Sequence, residues 1–158
     1  MTPAINIAKK AGVPHRTHEY AHDPAHASYG MEAAEKMGVA PERVFKTLVV
    51  ILDTRELVVG VVPVSAMLNM KQIARAAAAK KAAMAPATDV QRSSGYVLGG
   101  VSPLGQKKRL RTFIDTSAQA FATMFVSAGR RGLEIELSPA DLAKLTSGTF
   151  ADLAAADE

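Results

Sequence analysis

The apolar positions change period several times along the chain, and the changes mark the elements. Val44 to Leu52 and Glu56 to Val64 are two β-branched runs joined by Asp53-Thr54-Arg55. That pattern predicts two paired strands of a hairpin. Thr17 to Tyr20, Lys81 to Met84, Thr112 to Asp115, Thr123 to Ser127 and Leu133 to Leu137 read as shorter strands, the last two joined by a tight Gly129-Arg130-Arg131-Gly132 loop. Helices are announced by their ends. Thr2-Pro3 opens one that Gly12-Val13-Pro14 stops, Met31 to Met37 is closed by Gly38, and Ser138-Pro139 starts a long one. Asn69 to Gln72 and Thr88 to Gln91 both have capping-box spacing, the first opening a helix to about Ala79, the second one that Gly95 ends. Ala21 to Gly30 is polar and proline-containing and reads as loop, and Ala40 to Arg43 as a helical turn. Strands and helices alternate without a regular βαβ repeat, so the expected fold is α+β: a mixed, curved sheet with helices packed outside.

One stretch fits neither period. Arg92 to Leu110 holds four of the eleven glycines and ends in the cations Lys107, Lys108 and Arg109. Gly99-Gly100 removes two side chains, which would let backbone amides converge on a ligand, and Ser102-Pro103 restricts the exit. A donor-rich cradle beside three cations suits a ligand with a polar reacting end and a phosphate tail. The same pattern is also that of a glycine-rich turn with solvated cations.

Composition narrows the chemistry. The 158 residues suffice for one domain, residues 1–158, with a substantial core, and 48% are apolar. Aromatics at 5% are too few for a base-stacking platform. There is no cysteine, which excludes a disulfide framework, a thiolate nucleophile and a cysteine-held metal. No apolar run approaches ~18 residues and the first residues are not signal-like, so a cytoplasmic protein with no membrane contact is expected. The net charge of +4 permits a polyanionic partner without identifying one.

Three familiar constellations fail. His15, His18, His22 and His26 are spaced for one helical face, but Pro14 and Pro24 break the segment and a strand sends His15 and His18 to opposite sides, so no metal is expected. Gly100 to Gly105 resembles a nucleophile elbow around Ser102, yet its second glycine is one residue late and Pro103 stands where an amide donor is needed. No phosphate-loop motif is present.

Lys46 is the most informative single residue. Strand alternation puts Val44, Lys46, Leu48 and Val50 on one face. A lysine among aliphatics either snorkels from the sheet rim or stands in a cleft as a point charge for a carbonyl, carboxylate or phosphate. Tyr20 and Tyr29, at either end of the polar loop, are pocket walls or packing residues. Glu134 and Glu136 share a strand face, a pattern that by itself more often marks solvent.

Phe45-Lys46-Thr47, Gln91 to Tyr96, Gly99 to Arg109 and Ser127 to Leu137 together resemble the YbaK/EbsC family, over essentially the whole chain. The resemblance implies a barrel-like mixed sheet with flanking helices and an aminoacyl-tRNA deacylase. Its reaction would remove a wrong amino acid, cysteine above all, from tRNA(Pro), with prolyl-tRNA synthetase a possible partner and no cofactor. It further implies that the thiol of the bound cysteine attacks its own ester carbonyl, the protein supplying no nucleophile. Position by position, Lys46 matches the essential lysine, Tyr20 a pocket tyrosine, and Gly99 and Gly100 the pair that approaches the substrate. Tyr29, Thr47, Ser127 and Glu134 are the other expected substrate-binding positions, and Lys107, Lys108, Arg109 and Arg111 are cations that could meet tRNA phosphates, contacts that carry no base information. Glu134 stands where aspartate is more frequent and Tyr29 where phenylalanine is usual. An added methylene shifts discrimination by ~1–3 kcal/mol, so a deacylase for another small residue, such as alanine, is an alternative. A non-catalytic tRNA- or synthetase-binding module is a second alternative, motivated by the basic run.

Overall fold

In the computed structural model, which describes residues 1–26 and 28–154, the two long β-branched runs become β2 (Phe45–Leu52) and β3 (Leu57–Pro63), antiparallel with Val49 opposite Val59. They form the centre of a five-stranded sheet in the order β4-β2-β3-β5-β8, with β4 at Ala82–Met84, β5 at Arg111–Asp115 and β8 at Thr149–Ala151. A separate three-stranded sheet has the order β1-β7-β6, with β1 at His15–Glu19, β6 at Met124–Arg130 and β7 at Leu133–Leu137. The mixed α+β architecture agrees with the sequence, but the single barrel-like sheet does not. The strands split into two sheets that touch through an isolated bridge between Val44 and Phe125, without closing.

Both faces of the five-stranded sheet are covered, which is why β3 reads as continuous Val and Leu rather than as an alternation. Phe45, Val49, Val59, Val61 and Ile114 face the main core, where they meet Met124, Val126, Ile135 and Leu137 of the second sheet. Helix α1 (Pro3–Ala11) adds Ala4, Ile5 and Ala8 to that core, and α5 (Pro139–Thr146) adds Leu142. Val50, Leu52, Val58, Val62 and Phe113 face the other way, under Ile73 and Ala77 at helix α3 (Met70–Ala76). Each of these buried aliphatics contributes on the order of 1.5–3 kcal/mol, so a charge on either face of β3 would be severely destabilising. A third, smaller cluster joins Ala33 and Ala34 of helix α2 (Tyr29–Met37) to Val44 and Phe125, at the junction between the sheets.

Several boundaries differ from expectation, each for a local reason. Thr88 is not a cap: helix α4 (Ala87–Ser94) begins after Pro86 with no side-chain cap bond. Asn69 is one, its side chain accepting from Gln72 N–H at 3.1 Å, but α3 stops at Ala76 rather than Ala79. Strand β6 runs on through Gly129 and Arg130 with a bulge after Ser127, so the hairpin turn is Arg131-Gly132. Strand β8 pairs in parallel with β5 and is too short to show any period of its own. The expected loop at residues 21–30 (Ala27 lies outside the described residues) ends early, because Ser28 accepts from Met31 N–H at 3.3 Å and makes Tyr29 the first residue of α2.

Candidate functional site

The two sheets diverge beside the Val44–Phe125 bridge and leave a cleft of about 340 Å³. Its floor is the first half of β2, with Phe45, Lys46, Thr47 and Leu48. Tyr29 and Gly30 at the start of α2 form one wall, Leu98, Gly99 and Val101 another, and Tyr20, Ser127 and Glu134 come from the second sheet and the residue following β1. Seven positions far apart in sequence that were singled out there, Tyr20, Tyr29, Lys46, Thr47, Gly99, Ser127 and Glu134, therefore meet in one hollow.

Lys46 takes the cleft and not the solvent rim. It is partly buried, and burial lowers its ammonium pKa below the usual lysine range, with no carboxylate offsetting that among the described residues. Thr47 Oγ1 is buried without a hydrogen-bond partner, as is Glu134 Oε1. A buried orphan oxygen is unfavourable by about 1–3 kcal/mol, so two of them lining one cleft mark a place prepared for a polar ligand.

Glu134 departs most from its sequence reading. It lies directly between His18 of β1 and Ser127 of β6 and is only 7% exposed. Burial pushes its carboxyl pKa up to about 8, so it holds a proton at neutral pH. Glu136, two residues on, is different: Thr123 and His18 donate to it and Arg43 lies 3.6 Å away, and together they outweigh burial and keep its pKa low. One strand face thus carries a neutral acid in the cleft and an ionised one beside it. Burial and the nearby Glu134 raise the Tyr20 phenol, whose backbone N–H donates to Gly132 O at 2.9 Å.

The central stretch is irregular, as the sequence implied, but it is firmly held. Tyr96 Oη donates to Leu104 O at 2.6 Å, Gln106 Nε2 to Ser102 O at 2.9 Å, and the Lys107 and Lys108 amides to Ser94 and Ser93 carbonyls. Gly99 has φ 92°, a conformation only glycine adopts without strain. Gly100 does not line the cleft. Its N–H closes a turn onto Val97 O at 3.0 Å, and a Cβ there would sit 2.6 Å from Arg130 Cα. The expected pair of converging amides is thus reduced, because Gly100 is a packing glycine and only Gly99 faces the hollow.

Lys107, Lys108 and Arg109 are exposed and lie outside the cleft. Lys108 and Arg109 edge a second, shallow hollow beside Ile7 and Leu145, where Arg109 donates to Ser147 Oγ at 2.6 Å. Three of the four histidines have ordinary partners, His15 with Val13 O, His18 with Glu136 and His26 with Glu35, and no cluster able to hold a metal occurs among the described residues. No helix among those residues is long and apolar enough to cross a membrane.

The apolar walls Val64 and Leu98 carry no sequence signal of their own. Arg131 and Glu32 were also missed, as nothing in their spacing brings them together. The guanidinium of Arg131 nevertheless stands 4.2 Å from the centroid of the Tyr29 ring and 2.9 Å from the buried Glu32.

The model of the aminoacyl-tRNA editing domain matches residues 23–145. Among individual proteins, the chain is 37% identical over 152 residues to the Enterococcus faecalis protein named "Putative Cys-tRNA(Pro)/Cys-tRNA(Cys) deacylase EbsC", covering 96% of this chain and 92% of that one. It is 30% identical over 115 residues to Bacillus subtilis YwhH, covering 73% of each. A crystal structure described as "a putative trans-editing enzyme for prolyl tRNA synthetase" superposes with a TM-score of 0.83 at 21% identity, over 98% of this chain and 99% of that one. That last likeness is one of fold. With the family model spanning most of its length, the chain belongs to the YbaK/EbsC family of aminoacyl-tRNA editing domains.

Proposed function

We propose that this protein deacylates mischarged Cys-tRNA(Pro), acting free of the synthetase, and that the bound cysteine supplies its own nucleophile. The name of the E. faecalis relative, which includes Cys-tRNA(Pro), supports the substrate. The observation that carries the mechanism is the make-up of the cleft: an ammonium, two orphan oxygens and two tyrosines, with neither cysteine nor histidine among its lining residues. Ser127, its one other hydroxyl besides Ser28, Thr47 and the tyrosines, accepts from Gly129 N–H and has no imidazole to activate it.

In the reaction, the cysteine sulfur attacks its own ester carbonyl carbon. The C–S bond forms, the bond to the ribose oxygen breaks, and the thiol proton ends on that oxygen, leaving free tRNA and a cyclic thioester that water later opens. Lys46 stabilises the charge growing on the carbonyl oxygen, a contribution of about 3–4 kcal/mol for a well-placed donor in a dry site. The substrate's α-ammonium enters beside Glu134 and supplies the counter-charge that lets the carboxyl ionise. The walls hold the thiol near the carbon, which replaces a bimolecular attack by an intramolecular one. tRNA phosphates would meet exposed cations outside the cleft, Lys107, Lys108 and Arg109 among them, and selection of tRNA(Pro) would draw on prolyl-tRNA synthetase.

A deacylation panel of Cys-, Ser- and Ala-tRNA(Pro) tests the reading. Fast release of cysteine with slow release of serine, its near-isostere, supports attack by sulfur. Equal rates for the two would mean that water attacks. Preferential release of alanine would support the second reading, a sibling enzyme in which the longer Glu134 side chain leaves room only for a methyl group.

A further inference from the structure

The tip of the β6–β7 hairpin touches two residues of the cleft wall, Tyr20 and Tyr29, and the glycine next to a third, Gly99. Gly132 O accepts from Tyr20 N–H at 2.9 Å, the Arg130 backbone backs onto Gly100, and the Arg131 guanidinium stands over the Tyr29 ring. The last of these contacts is braced in an unusual way. Arg131 donates to Glu32 Oε1 through Nη2 at 2.9 Å and Nε at 3.3 Å, and to Asp23 O at 2.7 Å. Glu32 has no solvent exposure, and its second oxygen accepts from Asp23 N–H at 2.5 Å.

A fully buried carboxylate is an expensive way to hold a helix, and an apolar side chain of similar volume would usually serve as well or better. What the ion pair adds is direction. Glu32 and Asp23 hold the fork of the guanidinium, and its central carbon stands 4.2 Å from the centroid of the Tyr29 ring. Tyr29 is itself 47% exposed at the first turn of α2, and it also meets Gly99 so closely that a Cβ there would lie 3.1 Å from the ring. A half-exposed ring at a helix start would otherwise exchange rotamers freely.

Building on the deacylase reading, we infer that Arg131, braced by Glu32, is a positioning residue: it holds the Tyr29 ring against Gly99 and thereby sets the width of the cleft mouth. The mouth so defined admits a small aminoacyl ester and rejects a bulkier one, such as the correctly attached prolyl group. Arg131 itself touches no substrate atom in this scheme.

The test uses Arg131→Lys, which keeps a cation for Glu32 but has no planar face, and Tyr29→Leu, with the double variant. Two readouts are taken. Side-chain order of Tyr29 is followed by NMR on ring-labelled tyrosine, with the assignment made from Tyr29→Leu. Selectivity is the ratio of kcat/KM for Cys-tRNA(Pro) over Pro-tRNA(Pro). In Arg131→Lys the Tyr29 ring should pass from rigid to freely reorienting, and selectivity should fall about tenfold, chiefly by gain of prolyl hydrolysis. The double variant should lose no more than Tyr29→Leu alone. A Tyr29 ring equally ordered in Arg131→Lys, or selectivity losses that simply add, would overturn the inference. If the wild-type protein released no amino acid from any charged tRNA, the deacylase reading would fall, and the ring-order measurement would still decide whether Arg131 holds Tyr29.

Discussion

Gly99 and Tyr29 meet at the mouth of the cleft so closely that a Cβ on Gly99 would lie 3.1 Å from the tyrosine ring and push it aside. Gly99 also sits at φ 92°, where an L side chain is strained. Gly99→Ala therefore combines a backbone penalty of about 1–3 kcal/mol with displacement of Tyr29. A lower Tm and at least a tenfold drop in kcat/KM for Cys-tRNA(Pro) are expected. Wild-type kinetics in this variant would remove Gly99 from the site.

Lys46 is a partly buried cation whose burial is unfavourable for the fold. Replacing it by alanine should leave Tm unchanged or raise it slightly, while kcat falls about 10²–10³-fold as oxyanion stabilisation is lost. Arginine should not restore the rate, because its planar fork cannot occupy the position of a compact ammonium. Thermal melts beside single-turnover deacylation separate the two effects.

Glu134 should tie stability to pH in an uncommon direction. Its carboxyl is raised to about 8 in the folded protein from an ordinary value of 4.5. Below 4.5 both folded and unfolded chains carry the proton and nothing is lost. Between those values the unfolded chain releases a proton that the folded one keeps, so rising pH favours unfolding, with a limiting slope of about 1.4 kcal/mol per pH unit. Glu134→Gln removes the titrating group and should flatten the urea-unfolding free energy between pH 5 and 8. An unchanged slope would mean that Glu134 is ionised in the fold.

Glu32 should behave in the opposite sense. The Asp23 amide and the Arg131 guanidinium outweigh its burial and hold its carboxyl below the usual range, so its contribution is present at neutral pH and is lost as pH falls through the folded value. Glu32→Gln strips the charge that Arg131 faces and should destabilise the fold at pH 7, the loss shrinking in acid. Urea titrations at pH 7 and pH 4 measure both.

Much of the lining of the candidate cleft was legible before folding. Lys46 stands out because a charge interrupts an apolar β-branched run, and Gly99 because no element period explains its stretch. Glu134 was weak on residue patterns alone, since a strand-face carboxylate next to Glu136 looks like solvent surface until the assembled fold buries it. Gly100 was read as half of an amide cradle, because glycine freedom for a ligand and glycine smallness for backbone packing leave the same mark in sequence. The Glu32–Arg131–Tyr29 brace left no mark at all, as 99 residues separate the two charges.

Local periodicity and end signals were enough to determine most elements and the α+β class, because they depend on neighbours within a few residues, while the family was legible only as a resemblance of longer motifs. Whether the strands made one sheet or two, which carboxylate became neutral and which glycine faced the cleft were decided only in three dimensions. Each of those depends on what a distant segment covers, and burial, the quantity that sets both packing and proton affinity, is a property of the assembled chain.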